Sequence, residues 1–274
     1  MNTNIHPKAI IGKKVTIECN NFTLGANSYI GDNCSITCNN FTAGKNLFIP
    51  GKVEIGRGGC KGPNSNVYIG DNVGIFEGTI INPSDEVHIG DNVGIGGEVM
   101  IWTHGAWLDV MQGFPADFGP VCIEENVWLP ARSIVLPNVK IGKNTVIGIG
   151  SIINRNLPEG CFAAGSPCKV IKENCYPKKL SKEEKENIVN TIIDDWKTLI
   201  KSKGKIKEYI IYYDKTTEIL VLKQPNKYDN FYITSYDLTN KNMKGFKNEV
   251  SEDLRDYLRR RGIKIFTKDL FKSI

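Results

Sequence analysis

At 274 residues the chain exceeds a typical single core, so two folding units are expected. A hydrophobic fraction of 41% and a charged fraction of 24% exclude a disordered or collagen-like chain. The opening "MNTNIHPKAI" lacks the apolar run of a signal peptide and no stretch approaches the roughly 20 apolar residues of a membrane span, so a cytoplasmic protein without such a span is expected despite the net charge of +5.

From the N-terminus a short motif recurs. "IIGKKVTI" (10–17), "YIGDNCSI" (29–36), "FIPGKVEI" (48–55), "YIGDNVGI" (68–75), "HIGDNVGI" (88–95), "CIEENVWL" (122–129) and "KIGKNTVI" (140–147) carry leading aliphatics at Ile11, Ile30, Ile49, Ile69, Ile89, Ile123 and Ile141. Their spacings are 19, 19, 20, 20, 34 and 18 residues, all but one close to three times the six-residue step from Ile69 to Ile75. A six-residue aliphatic period matches neither a helix nor a free-standing strand, but suits a short strand followed by a Gly-Asp-Asn corner. Three such sides close a triangular coil. About seven coils stacked at about 4.8 Å give a prism roughly 30 Å tall with its aliphatics inward. The paired "NNFT" at 20–23 and 39–42 predicts a stacked asparagine ladder. The excess between Ile89 and Ile123 predicts a loop over about 103–120, the one large break in the ladder.

After "AAGSPCKVIK" the period changes. "LSKEEKENIVNTIIDDWKTLIKSKGK" opens with a capping box from Ser181 to Glu184 and aligns Ile188, Ile192, Trp196 and Leu199 or Ile200 on one face, predicting a helix over 181–203 that ends at Gly204. Residues 208–223 read as a hairpin turning at Lys215–Thr217, 230–238 as a strand, and 250–262 as a capped helix with a glycine stop. The predicted organisation is therefore a solenoid at 1–172, a helical connector at 173–206 and a small α/β appendage at 207–274, with Tyr212, Tyr213 and Phe231 in the appendage core. Residues 1–168 hold 11 basic and 14 acidic side chains against 24 and 16 in 169–274. The basic residues alternate with acids, so a solvated surface rather than a nucleic-acid site is expected there. Eight cysteines without a CxxC pair, and only three histidines, predict reduced core thiols and no metal site.

The stretch "IEENVWLPARSIVLPNVKIGKNTVIGIGSIINRNLPEGCFAAGSPCKVIK" (123–172) carries NVW-(I/L), VIGxGS and AAGxPxKVIK elements in order. With the six-residue repeats it resembles the left-handed β-helix acyltransferases built from hexapeptide repeats, in particular the galactoside and maltose O-acetyltransferases and their polysaccharide O-acetyltransferase relatives. The resemblance implies a left-handed parallel β-helix, a homotrimer, acetyl-CoA as acyl donor and a sugar or glycan acceptor. His104, at the start of the extruded loop, matches the family's catalytic histidine. The family's acceptor site also takes a polar residue from the coil below. The comparable "IFEGTIINPS" differs in length by one residue and offers Glu77, orienting His104 through its other ring nitrogen, or Asn82, meeting the acceptor. The donor groove between subunits is implied to use Trp128, the backbone of Ala131, Ile149 and Gly150, with the Ala131 N–H facing the oxyanion, and Asn154, Arg155, Lys169 and Lys172 toward the phosphates.

The loop residues add their own reading. Trp102 and Trp107 flank His104 and suit the apolar face of a saccharide, while Asp109 and Asp117 suit its hydroxyls. An imidazole with a pKa of about 6.5 takes the hydroxyl proton at neutral pH, and the chain has no G-x-S-x-G elbow or Cys/His motif for an acyl-enzyme, so direct attack is expected. His88, on an outward position, and His6 carry no expected role. N-acetylation of an amino sugar on a nucleotide carrier is the second reading, although no Gly-rich nucleotide-binding loop precedes the repeats. A γ-type carbonic anhydrase needs three zinc histidines, two of them close in sequence, and isolated histidines argue against it. A non-enzymatic scaffold is the remaining alternative.

Overall fold

The computed structural model describes residues 1–56, 58, 60–204, 209–225 and 230–267. It divides into two compact units, Met1–Lys178 and Lys179–Ile274. Among the described residues no helix is long and apolar enough to cross a membrane.

The first unit is a three-faced parallel β-solenoid, mainly β as the repeats predict. On its first face Ile11, Ile30, Ile49, Ile75, Ile95, Leu129, Ile147 and Ala163 stack in register. Ile17, Ile36, Ile55, Ile81, Ile101, Val135 and Ile153 stack on the second, and Leu24, Ala43, Ile69, Ile89, Ile123 and Ile141 on the third. These side chains point inward: Ile30, Ile49, Ile55, Ile75, Ile81, Ile95 and Ile101 are all wholly buried, each worth about 1.5–3 kcal/mol. The strand Phe162–Ala164 adds an eighth parallel rung to the first face, and Lys169–Lys172 then folds back antiparallel upon it.

This register differs from the one drawn from the motifs. Ile11, Ile30 and Ile49 belong to the first face, whereas Ile69, Ile89, Ile123 and Ile141 belong to the third. The slip has a physical cause: every face obeys the same six-residue grammar. Gly31-Asp32-Asn33 turns the corner from the first face to the second, while Gly70-Asp71-Asn72 turns the corner from the third to the first. Asn33 and Asn72 take the same left-handed backbone at φ 59° and 62°. The true rise from Ile49 is 26 residues, to Ile75, so a second break lay hidden at 56–65. Stepping from third to first face or from first to second always takes six residues; every departure from 18 falls at the corner between the second and third faces.

The corners are held by backbone rungs and by side-chain ladders. Asn46 Nδ2 donates to Asn72 Oδ1 at 2.8 Å and Asn92 Nδ2 to Asn126 Oδ1 at 2.8 Å. The predicted NNFT ladder forms, with Asn20 on Asn39 at 2.8 Å, Asn21 on Asn40 at 2.6 Å and Phe22 stacked on Phe41 at 5.0 Å. Coils approach closely enough that a Cβ on Gly31 would lie 1.9 Å from Pro50 O.

The second unit is a four-stranded antiparallel sheet, Ile210–Asp214, Ile219–Pro225, Phe231–Asp237 and Asn242–Gly245 in chain order, with helices α1 (Lys182–Ser202) and α2 (Glu249–Arg259). The capping box of α1 forms as read, with Glu184 N–H on Ser181 Oγ and Ser181 N–H on the Glu184 carboxylate. The helix drawn as a connector contributes Val189, Ile192, Ile193, Trp196 and Ile200 to the core of this unit, with Leu220, Leu222, Tyr236, Leu254 and Leu258. The last strand escaped the sequence reading because "NMKG" has neither alternation nor β-branched residues. Tyr213 packs against the core as expected, but Tyr212 and Phe231 stand on the open side, 43% and 42% exposed, because strand alternation sends them away from the helices.

Candidate active site

Two loops leave the solenoid at the corner between its second and third faces: 56–65, and 103–120 two coils further on. The coil between them contributes residues 82–86. The longer loop is pinned at its root, where His104–Gly105 pairs antiparallel with Asp117–Phe118 and Asn138 Nδ2 donates to Phe118 O at 3.0 Å. Thr103, wholly buried, donates to Asn82 O at 2.8 Å and accepts from Asp85 N–H at 2.9 Å. The imidazole that follows is therefore carried on a rigid corner rather than on the loop itself.

His104 lies half-buried with its ring 5.9 Å from Phe118, nearly parallel, and 6.0 Å from Trp102, edge-on. Its Nδ1 is 3.0 Å from Ser84 Oγ, and Ser84 Oγ is 3.2 Å from Asn82 Oδ1. Ser84 has one hydroxyl proton. Given to Asn82 Oδ1, it leaves Oγ to accept Nδ1–H, and the unprotonated nitrogen is then Nε2. Among the described residues Nε2 has no hydrogen-bond partner, so it stands ready to take a proton.

The other expected residues are dispersed. Asn82, 1% exposed, faces Ser84 and Cys60 instead of the outside, so it lies behind the imidazole. Asp109 caps the one-turn helix Val110–Gln112, accepting from Met111 N–H at 2.9 Å and Gln112 Nε2 at 3.2 Å, which commits its carboxylate within the loop. Trp107 is 95% exposed at the loop's outer part and Asp117 pairs with Gly105 at its root.

Glu77, Ala131, Ile149 and Gly150 line a different corner, between the first and second faces. Their coils stack there through Glu98 N–H on Glu77 O and Gly150 N–H on Ala131 O, 2.9 and 3.1 Å. The structure thus does not bring Glu77 to His104; Ser84 occupies that role. Trp128, 57% exposed, rises from the adjoining first face over Gly94, and Ile149 is 73% exposed. Ala131 N–H has no hydrogen-bond partner among the described residues, and Gly96 beneath it leaves it clear, since a Cβ there would come within 2.4 Å of that nitrogen. Gly150 sits at φ 70° with open space above it. Lys169 and Lys172 are exposed on the returning strand, whereas Asn154 and Arg155 are exposed at the His104 corner, one turn beyond Asn138.

Sequence reasoning missed Ser84, Phe118 and Cys60. A signal existed for Ser84: the 20-residue spacing from Ile69 to Ile89 places two extra residues in "NPSDE", at the corner below the large break. His88 is outward as expected, its Nε2 2.9 Å from Glu86 and its ring stacked on Tyr68 at 4.8 Å. Six of the eight cysteines are buried.

Fold and repeats together define a hexapeptide-repeat β-helix, consistent with the left-handed form, and residues 123–155 match the bacterial transferase hexapeptide (six repeats) family. The chain is 58% identical over 50 residues to a galactoside O-acetyltransferase of Lactococcus lactis, covering 18% of this chain and 24% of that one. It is 36% identical over 69 residues to a 2,3,4,5-tetrahydropyridine-2,6-dicarboxylate N-acetyltransferase of Staphylococcus aureus, covering 25% and 29%. The chain spans between 24% and 41% of the length of these and other curated relatives. A hexapeptide-repeat acetyltransferase of Vibrio cholerae, solved with acetyl coenzyme A, is 18% identical over 60% of this chain and 70% of that one, with a TM-score of 0.35.

Proposed function

We propose that this protein is an acetyl-CoA-dependent O-acetyltransferase that acts on a sugar or glycan hydroxyl by direct transfer, as a homotrimer. The observation that carries the reading is His104, held at Nδ1 by Ser84 with Nε2 uncommitted at the mouth of the extruded loop. The galactoside O-acetyltransferase matched over its most similar segment supports the chemistry.

In the proposed step His104 Nε2 takes the acceptor hydroxyl proton as the oxygen attacks the thioester carbonyl. The carbonyl oxygen gains charge, which a backbone N–H such as that of Ala131 meets. Collapse breaks the carbon–sulfur bond, and the imidazolium returns its proton to the leaving thiolate. Residues of the first face and its corner with the second fit the donor: Trp128 on the face and Ile149 at the corner present apolar surface to the pantetheine arm, Gly150 leaves a cradle, and Lys169 and Lys172 on the returning strand supply charge to phosphates. Because Ala131 and His104 lie at different corners of one prism, a complete site takes its donor edge from one copy and its base from another.

Replacing both Lys169→Glu and Lys172→Glu is expected to raise KM for acetyl-CoA at least tenfold, about 1.4 kcal/mol, with kcat little changed. An unaltered KM would remove these lysines from the donor site.

The relative named as an N-acetyltransferase favours amine acylation as the second reading. Thiol release from acetyl-CoA is to be measured with hydroxyl-only sugars and with amino sugars. Turnover on hydroxyl sugars is expected; turnover confined to amines assigns the second reading, and no sugar-dependent release defeats both.

A further inference from the structure

We infer that Cys60, in the shorter excursion at the same corner, is a positioning residue that sets the tautomer of His104 through Asn82 and Ser84. The inference rests on His104 as the base. Cys60 is 2% exposed and its Sγ lies 3.2 Å from Asn82 Oδ1, the same oxygen that receives the Ser84 hydroxyl at 3.2 Å. Asn82 itself is 1% exposed, so the side chains of Ser84 and Cys60 are what its amide oxygen meets.

The direction of one amide decides the direction of the whole chain. With Oδ1 facing Ser84, the serine proton points toward Asn82, Ser84 Oγ accepts from Nδ1–H, and Nε2 carries the lone pair. Turned over, the amide presents N–H to Ser84 Oγ. The serine proton then turns to Nδ1, the ring proton moves to Nε2, and the base faces the acceptor with no lone pair. Cys60 Sγ has two acceptors in reach, Asn82 Oδ1 at 3.2 Å and Gly58 O at 3.8 Å; given to the nearer, its one proton is a second donor on Oδ1 and holds the amide in the first orientation. Two departures from the coil at this corner therefore serve one imidazole: the pinned root at Thr103–Gly105 carries it, and Cys60 fixes its proton.

Three histidines in the chain make the test clean, because nitrogen-15 NMR of labelled histidine distinguishes the two neutral tautomers residue by residue. In the unaltered protein His104 is expected as the Nδ1–H tautomer. Cys60→Ala is expected to shift it toward Nε2–H and lower kcat about three- to tenfold, with KM for acetyl-CoA unchanged; this is the range set by loss of one hydrogen bond. Cys60→Ser, which keeps a donor, restores both. Cys60→Val gives the same reading if the alanine variant fails to fold, and Cys34→Ala, another buried thiol, leaves His104 untouched. A folded Cys60→Ala or Cys60→Val protein with an unshifted tautomer overturns the inference, as does a serine variant as impaired as the alanine one. If His104→Ala retains turnover, the function reading fails instead, while the tautomer in the Cys60 variants still reports on the network.

Discussion

His104→Ala is expected to lower acetyl transfer about 10²- to 10⁴-fold, the usual contribution of a positioned general base, or about 3–5.5 kcal/mol of transition-state stabilisation. The imidazole contributes little to folding. It is partly exposed, its side chain's one hydrogen bond among the described residues is to Ser84, and the neighbouring strand ends at Trp102 before the loop begins. The variant should therefore keep the parent's assembly state in sedimentation, the proposed trimer, and any CoA binding the parent shows. Loss of activity with loss of assembly would point to a structural role, and turnover within tenfold of the parent would sink the assignment.

A second large effect lies in the other unit. Trp196 is wholly buried on α1, its ring 5.2 Å from Tyr209 and its Nε1–H donating to Asp253 Oδ1 at 3.0 Å. Asp253 also receives Lys203 Nζ at 2.6 Å, so the indole and an ammonium share one carboxylate that is 9% exposed. Trp196→Ala is expected to cost about 3–5 kcal/mol, through the cavity and the unmet carboxylate oxygen. Calorimetry should show the transition of the second unit lost or lowered by many degrees, with the solenoid transition in place, because the two cores share no residues. Trp196→Phe refills most of the volume but not the donor and should fall between. A single transition that moves as one would contradict the independence of the cores.

Much of the solenoid was legible because its grammar is local: an aliphatic every six residues, with a left-handed residue at the corner, asparagine at Asn27, Asn46, Asn72, Asn92, Asn126 and Asn144 between the third and first faces. That same locality is why the register was not. Nothing within "YIGDNVGI" tells one face from another, so the motifs place Ile69 above Ile49 whereas its partner is Ala43. His104 was found because 16 extra residues cannot be hidden, whereas Cys60 was hidden by eight extra residues that a one-face slip absorbs. Ser84 and Asn82 depend on which side chains meet across coils, and no periodicity carries that. In the appendage, α1 was legible from its cap and apolar stripe, but its place in the core depended on the sheet it covers.

All irregularity of length along the solenoid is confined to one of its three edges. The other two advance by an invariant step, so they remain straight whatever is inserted opposite them. A prism of this kind separates two demands: a ruled edge against which a constant molecule such as a nucleotide-thiol donor can lie, and a free margin where loops can lengthen, shorten or be exchanged as the acceptor changes. On the proposed function, grafting a different 103–120 segment onto the same His104 root would redirect acyl transfer toward a new alcohol while leaving the donor edge as it was.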